Sequence, residues 1–497
     1  MVRFLNREAL GGGQVPGFTA PPPPPGATYL PAVAVAPYAA YGAKRMVQGY
    51  SGSLYTLKRV SDGALLNVTA TPGSDLPDYA AIASWAGASA ILVSSVYDQA
   101  GNGPVATWTT NANLPSFDLS QALAGAVPFL FDSIPGVGGG KFLRVNAALD
   151  RSALTIFDVV QPMTSANSAT LWAIYGSGLR GALWTDSATP GLRFTGDSTG
   201  HNFGSPAIPR ANPSVIGLSA GLTNTKLYVR EAEIVDTATQ AQAINLLVIG
   251  GDQGTNATNA AAVRWGFVVY AAQLSSADAI AVRNALTRQF AIPTTFDSRI
   301  VFAGDSIMLG SGTTLVKNIV RQIAFSGSPE LFNIGIGGIT VASMNSRFNS
   351  FVAPLATTAY GSRSLILQEG GTNDLAGGGS AAALQSAMAT FVSSSKSAGF
   401  KTGVGTIIPR ANSGLSANFD TNRQAYNGWV TGGSSAGDFI FDSASEPHFA
   451  AANALTTASG LYGDEAQGST GVFVHPNSMG SFYLAGVYGP AVNGALA

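Results

Sequence analysis

Apolar residues between positions 37 and 295 fall in short alternating or β-branched runs, and clusters of Gly, Asn, Asp and Pro separate these runs. Many short strands with turn residues between them are typical of a β-sandwich. The clearest runs cover residues 53–60, 90–96, 141–145, 153–160 and 226–229. One amphipathic helix is predicted over residues 275–290, with Ser275 or Ser276 as its N-cap.

The spacing of apolar residues changes after Ile292-Pro293. Strand-like runs now alternate with helical spacing, which predicts a largely parallel sheet with helices on both faces. The strand-like runs cover 298–302, 364–368, 402–408 and 438–441, and the helical spacing covers 314–325 and 381–398. Ligands of such sheets bind beyond the carboxyl ends of the strands, so we expect the chemistry of this region there.

The chain is too long, at 497 residues, for one ordinary core. The patterns divide it into a Pro/Gly-rich N-terminal arm (1–36), a β-sandwich (37–295) and an α/β domain (296–497). Charged residues make up only 11% and the net charge is -1, which argues against a nucleic-acid partner. Cysteine is absent, so chemistry must come from oxygen and imidazole groups. No apolar run reaches the roughly 18 residues that a membrane span needs.

The N-terminal arm contains a GGG triplet and an unbroken proline run from Pro21 to Pro25. A proline run favours extended polyproline II structure and cannot enter a helix or a central strand. The arm is therefore expected to be either an attachment segment or a leader without function. No apolar stretch follows the basic N-terminal residues, so a conventional signal peptide is not evident. Low charge and abundant glycine suit an extracellular or virion-associated protein, which would be a homo-oligomer, a trimer if it forms a virion fibre.

Four short segments place polar or flexible residues beyond the predicted strands. In Gly304-Asp305-Ser306, a serine on the strand-to-helix turn presents its hydroxyl above the sheet. In NIGIGGIT, residues 333–340, the backbone N–H of Gly338 can face a developing oxyanion. In QEGGTND, residues 368–374, Asn373 can supply an amide donor to the same oxyanion. The loop VFVHPNS, residues 472–478, carries His475, one of 3 histidines in the chain.

Each segment is a weak signal alone, and Gly-Asp-Ser even recurs at 196–198, where no helix pattern follows. Taken in order, Ser306, Gly338, Asn373 and His475 resemble the SGNH hydrolases, also called the GDSL esterase family, over about residues 297–497. The resemblance implies a flavodoxin-like three-layer α/β/α fold and ester hydrolysis without a cofactor or metal. It also implies that Ser306 is the nucleophile and His475 the general base, with the N–H groups of Ser306 and Gly338 and the Asn373 amide forming the oxyanion hole.

The β region has a resemblance of its own. Segments 50–63, 91–103 and 264–275, which include the motif YDQAGNG, are similar to the concanavalin A-like, laminin-G-like jelly rolls found beside glycan-active domains. This resemblance implies either carbohydrate binding or a scaffold role. Asp98 and Asn102 of the motif are expected to be turn residues rather than calcium ligands.

Val472 departs from the SGNH pattern, because the family usually has an aspartate three residues before the histidine. That carboxylate accepts the Nδ1 proton of the histidine and stabilises the imidazolium formed during acyl transfer, which valine cannot do. Asp464 is the first candidate for the missing acid, and Glu465 or a backbone carbonyl are the others. The remaining alternative is an inactive domain that only binds.

The two resemblances together predict a carbohydrate esterase. Its α/β domain would remove O-acetyl or similar small acyl groups from an acylated polysaccharide or cell-surface glycan, which the β-sandwich positions. The alternative is a non-catalytic structural or receptor-binding protein, an adhesin such as a phage tail or fibre component attached through the N-terminal arm. A test for turnover distinguishes the two.

Overall fold

A computed structural model of the chain describes most residues between 29 and 497. The described ranges are 29–108, 110, 113–119, 125–131, 141–150, 153–162, 170–175, 180–185, 192–195, 200–202, 212–229, 232–236, 243–244, 246–250, 262–310, 318–411, 415–450, 461–462 and 474–497.

The described residues up to position 292 form antiparallel strands and two helices. The helices are α1 (Tyr79–Ala86) and α2 (Ser276–Gln289). The strands are β1 (Ala39–Gly42), β2 (Ser53–Arg59), β3 (Leu65–Thr69), β4 (Ile91–Val96), β5 (Ala106–Thr107), β6 (Ser116–Phe117), β7 (Phe129–Phe131), β8 (Leu143–Val145), β9 (Leu149–Asp150), β10 (Ala153–Pro162), β11 (Thr170–Tyr175), β12 (Arg180–Thr185), β13 (Leu192–Thr195), β14 (Gly200–Asn202), β15 (Ser214–Gly221), β16 (Thr225–Val229), β17 (Ala232–Asp236), β18 (Ala243–Ile244), β19 (Leu246–Ile249) and β20 (Ala262–Tyr270).

Apart from the separate pair β9-β18, the strand pairings form two antiparallel arrays that share β4. One array runs β17-β16-β15-β10-β20-β7-β6-β4, with β1 also on β20. The other runs β3-β2-β4-β5-β8-β19-β11-β12-β13-β14. Ser275 is the N-cap of α2, since its Oγ accepts the N–H of Asp278 at 3.1 Å, and α2 packs on β15. All residues of β15 are therefore buried, whereas a strand with one solvent-exposed face would alternate between buried and exposed residues.

One hydrophobic core lies between the two arrays. The rings of Trp172 and Phe267, which come from different arrays, meet edge to face with centroids 6.5 Å apart. Arg264 and Asp158 form a buried ion pair, with Nε 3.0 Å from Oδ2, and the Arg264 Nη2 donates to the Leu171 carbonyl at 2.6 Å. The arrangement is that expected of an antiparallel β-sandwich, whereas the jelly-roll topology stays a prediction.

The YDQAGNG motif folds around Asp98. Its Oδ1 accepts the N–H groups of Ala40 and Ala100, at 2.7 and 2.9 Å, and its Oδ2 accepts that of Gly103 at 2.7 Å. A carboxylate that accepts three backbone N–H groups organises a turn, so the turn role predicted for Asp98 is confirmed. Asn102 lies in the same turn, with its Nδ2 3.5 Å from the Ala100 carbonyl oxygen.

The C-terminal part contains a parallel sheet flanked by helices. Its strands are β21 (Ser298–Gly304), β22 (Pro329–Asn333), β23 (Ser364–Glu369), β24 (Lys401–Gly405) and β25 (Phe439–Phe441). Its helices are α3 (Ser306–Leu309), α4 (Ile319–Gln322), α5 (Val341–Ser346), α6 (Thr372–Ala376), α7 (Ala381–Ser397), α8 (Phe419–Thr431), α9 (Pro447–Ala450) and α10 (Ser478–Leu496). A π-helical turn covers Phe348–Val352, and short 3-10 turns cover Ala353–Leu355, Gly361–Arg363 and Ser443–Ser445.

The sheet order is β22-β21-β23-β24-β25, with every neighbour parallel. Alternate residues of β21 face opposite layers: Ile300 and Phe302 pack toward α4 and α10, and Val301 and Ala303 toward α5, α7 and α8. This is the three-layer, flavodoxin-like order predicted above, and its topological switch point lies between β21 and β23. Among the helices of the described ranges, none combines the length and apolar character that crossing a bilayer requires.

Two of the predicted elements are shorter than their apolar patterns. The helix expected over 314–325 covers only Ile319–Gln322 in the described residues, where Asn318 caps it and Ile323 is already extended. The strand expected over 402–408 ends at Gly405. Ile407 and Ile408 are buried all the same, because apolar residues can fill the core from extended loops as well as from regular elements.

Asn212, from the β region, lies against the outer side of β22. Its Nδ2 donates to the Pro329 carbonyl at 3.2 Å, and its Oδ1 accepts the N–H of Leu331 at 2.5 Å. Arg321 and Gln161 make a second polar contact between the two parts, with Nη1 2.5 Å from Oε1. Polar side-chain contacts at the edge strand β22 and at α4 thus hold the α/β region to the β region.

Candidate active site

Ser306 lies at the carboxyl end of β21, at the switch point of the sheet. The strand can come this close to β23 because residue 304 is glycine: a Cβ there would lie 1.9 Å from the Glu369 carbonyl oxygen. Asp305 then caps α3, with its Oδ1 accepting the N–H of Ile307 at 2.9 Å. Ser306 is the first residue of that helix and is 7% exposed.

His475 meets this serine across 169 positions of sequence, with its Nε2 2.9 Å from the Ser306 Oγ. The residues that follow the histidine hold it there. Pro476 forms an isolated β-bridge with Tyr462, and the N–H of Asn477 donates to the Leu461 carbonyl at 2.9 Å. The Asn477 Oδ1 accepts the N–H groups of Met479 and Gly480, both at 3.0 Å, so Asn477 caps α10. The residues after His475 therefore have a structural role: Pro476 and Asn477 fix the loop, and Asn477 also caps α10.

Asn373 lies in α6, directly beyond β23. Its Nδ2 donates to the Ile339 carbonyl at 3.1 Å, and its Oδ1 accepts from the Arg410 Nη1 at 3.4 Å. The next residue, Asp374, accepts the N–H of Val341 at 3.1 Å. These bonds tie the loops after β22 and β23 together. Gly338 belongs to the first of these loops and has a φ of 72°, a backbone conformation that would be strained for a residue with a side chain.

The structure thus brings Ser306 and His475 into contact and joins the loops that carry Gly338 and Asn373. Asp464, Glu465 and Val472 lie outside the described residues. His448 is elsewhere: it is the second residue of α9, its Nδ1 is 2.8 Å from the Glu446 Oε1, and its ring stacks on Tyr483.

Buried acids that the sequence patterns did not single out lie beneath this site. Asp305 and Glu369 are 0% and 3% exposed. Burial raises the pKa of Asp305 to about 7, an effect that Asp374 reinforces and Arg410 opposes. Burial, together with the Asp305 carboxylate, raises the pKa of Glu369 well above its usual range. One signal was available in the sequence: an acid at the end of the apolar run LILQE, which belongs to a strand buried on both faces.

The raised pKa of Asp305 should be visible in how stability depends on pH. Because the folded chain binds this proton more tightly than the unfolded chain does, the free energy of unfolding should fall as the pH rises from the pKa of the unfolded chain, near 3.8, through the folded pKa of about 7. In Asp305→Asn the amide keeps the acceptor for Ile307 but does not titrate. The melting temperature of the variant, relative to the wild type, should therefore rise between about pH 5 and about pH 8.

Asp62→Asn is the matched control for this titration. The hydrogen bond from Arg59 lowers the pKa of Asp62 to about 2, so its carboxylate is charged throughout that pH range. Its effect on the melting temperature should be the same at both pH values. An equally constant difference for Asp305→Asn would show that Asp305 is ionised over the whole range.

Comparison with known proteins links the two parts of the chain to different enzymes. Residues 302–481 match the model of the GDSL-like lipase/acylhydrolase family. Residues 30–127 match the model of the catalytic region of α-L-arabinofuranosidase B. We found no match to the chain among curated proteins.

Three of the solved structures that resemble parts of the chain have low sequence identity to it. An arabinofuranosidase complexed with arabinofuranosyl-α-1,2-xylobiose is 15% identical with a TM-score of 0.42, over 51% of this chain and 63% of that one, so this chain spans less than two thirds of its length. A GDSL-like lipase from Bacteroides thetaiotaomicron is 18% identical with a TM-score of 0.30, over 40% of this chain and 90% of that one. An esterase from Pseudoalteromonas is 16% identical with a TM-score of 0.30, over 40% and 99%.

The match to the family model begins within β21 and ends just inside α10, so it includes both Ser306 and His475. The contact between these two side chains and the parallel sheet that carries them agree with that match. The C-terminal part of the chain is therefore a GDSL-like lipase/acylhydrolase domain, preceded by a region of antiparallel strands.

Proposed function

We propose that the chain is a serine esterase that removes O-acetyl or similar small acyl groups from a carbohydrate. The observation that carries the proposal is the 2.9 Å contact between the Ser306 Oγ and the His475 Nε2 at the switch point of the parallel sheet. A hydroxyl within hydrogen-bond reach of an imidazole is the arrangement of a nucleophile and its base.

The proposed reaction has two steps. His475 takes the proton of the Ser306 hydroxyl as Oγ attacks the acyl carbonyl, and the oxyanion accepts hydrogen bonds from the N–H groups of Ser306 and Gly338 and from the Asn373 amide. The tetrahedral intermediate collapses, and the sugar hydroxyl leaves with the proton from His475. Water, activated by His475, then hydrolyses the acyl-serine ester and releases the carboxylic acid.

The group that orients His475 is open to a direct test. Asp464, Glu465 and a backbone carbonyl are the three candidates, because Val472 cannot accept the Nδ1 proton. Removal of a triad acid lowers kcat by about 10⁴-fold, less than removal of the serine or histidine. Asp464→Asn and Glu465→Gln should therefore show which carboxylate acts, and two unaffected variants would indicate a Ser-His dyad.

The carbohydrate part of the proposal rests on the β region. Its match to the catalytic model of an arabinofuranosidase supports a surface that holds a glycan near the esterase site. We propose that it positions an acylated polysaccharide or cell-surface glycan. A virion or other extracellular location, attachment through the N-terminal arm and assembly as a trimer remain predictions, and the mass of the purified particle tests the last.

The experiment measures acid release from esters of different alcohols and acyl lengths. We expect the wild type to release acetate from an O-acetylated polysaccharide, and to hydrolyse p-nitrophenyl acetate much faster than p-nitrophenyl palmitate. Ser306→Ala supplies the background rate for each substrate. A wild type that does not exceed this background on any of them would indicate the alternative, a non-catalytic adhesin.

A further inference from the structure

The Asn373 amide is bonded on both sides by different loops of the sheet. Its Nδ2 lies 3.1 Å from the Ile339 carbonyl oxygen, and its Oδ1 lies 3.4 Å from the Arg410 Nη1. Rotating the amide by 180° would place its NH₂ group against the guanidinium, and its oxygen against the Ile339 carbonyl. Only the present orientation pairs a donor with an acceptor on both sides, so the two neighbours fix it.

This orientation matters because the Asn373 Nδ2 carries two hydrogens. One hydrogen is donated to the Ile339 carbonyl, and the other can be donated to an incoming group. A cation on the carbonyl oxygen also draws electron density from the amide, which strengthens its N–H as a donor. Both effects favour an oxyanion over a neutral ester oxygen.

We infer that Arg410 is a positioning residue that holds and polarises the Asn373 amide for oxyanion stabilisation, an inference that rests on the proposed esterase function. Arg410 acts through Asn373 and does not contact the reacting atoms. The sequence patterns did not identify it, since a single arginine after a strand usually marks only a solvated surface.

The surroundings of Arg410 suit this role. The preceding residue is fixed, because the hydroxyl of the buried Tyr462 donates to the Pro409 carbonyl at 2.6 Å. The guanidinium is half-buried, and although burial lowers the pKa of Arg410, an arginine stays protonated at neutral pH. Asp305 favours the charged form of Arg410, so the cation also balances the acid directly beneath the nucleophile.

A double-mutant cycle tests the inference. Loss of one oxyanion donor lowers kcat by about 10²- to 10³-fold, so we expect Asn373→Ala to fall in that range and Arg410→Gln to lose about 10- to 10²-fold with little change in KM. Arg410→Lys should recover part of the loss, because it restores the charge without the planar fork. In the Asn373→Ala background, Arg410→Gln should cause no further fall, since the residue it acts through is gone.

Arg363→Gln is the matched control. This arginine directly precedes β23, at the end of the sheet away from Ser306, and donates to the Leu496 carbonyl at 3.0 Å, so we expect its removal to leave kcat unchanged. The melting temperature of every variant shows whether it is folded.

Three results would overturn the inference. Additive falls in the double variant would mean that Arg410 acts independently of Asn373. A raised KM with unchanged kcat would make Arg410 a substrate-binding residue instead. If the wild type is no faster than Ser306→Ala, both the proposed function and this inference fail. If the wild type is clearly faster but the losses of kcat in the double variant are additive, only this inference fails.

Discussion

Ser306→Ala is expected to lower kcat for p-nitrophenyl acetate by about 10⁴-fold or more, to the level of the background reaction. The reason is chemical: alanine has no atom that can form the acyl intermediate, so neither the proton transfer to His475 nor the covalent step can occur. The fold should not change, because the cap of α3 comes from Asp305 and not from Ser306. Initial rates, together with a melting curve of each protein, check this expectation.

Ser364→Ala provides the comparison for Ser306→Ala. Ser364 is fully buried at the opposite end of the neighbouring strand β23, and its Oγ has no hydrogen-bond partner among the described residues. Its removal should leave kcat unchanged. Equal rates for the wild type and Ser306→Ala would mean that the measured hydrolysis does not come from this site.

His475→Ala is expected to cost as much as the loss of the serine, about 10⁴-fold or more in kcat. Without the imidazole, the Ser306 hydroxyl keeps its proton and the leaving group must depart without one. Because the two residues act as one unit, the double variant should be no slower than either single variant. Rates of the three variants on the same ester provide the measurement.

His448→Ala separates this effect from the loss of any histidine. His448 is about half exposed, pairs with Glu446 and stacks on Tyr483 with ring centroids 3.6 Å apart. We expect its removal to leave turnover unchanged. A small effect of His475→Ala beside full loss in Ser306→Ala would show that another group serves as the base.

Much of the C-terminal fold was predictable, because the apolar runs of its strands and the helical spacing of its helices are both clear in the sequence. The apolar runs of β21 and β23 predicted buried parallel strands, and the ends of these strands then located Ser306 and Asn373 near one another. The partnership of Ser306 with His475 spans the whole domain, and it was predictable only through the order of four short segments. No local pattern near residue 475 contains that information.

Other parts of the site depend on contacts between distant segments. Arg410 lies close to Asn373 only because β24 is the neighbour of β23, and the sequence shows neither the pairing nor the reach of the side chain. Burial and the Asp305 carboxylate, which follows the neighbouring strand β21, likewise raise the pKa of Glu369 only in the folded chain. The helix that ends at Gln322 shows the same limit, because the next residue, Ile323, is apolar and buried although its backbone is extended.

Asn212 covers the edge strand β22, which affects how the α/β region would behave if it were separated from the β region. The outer backbone groups of β22 would otherwise offer hydrogen bonds to another chain, and open sheet edges of this kind invite intermolecular β-pairing. The amide of Asn212 occupies the Pro329 carbonyl and the Leu331 N–H in place of a further strand. An esterase domain separated from the β region would lose this cover, so it would be more prone to self-association than the whole chain.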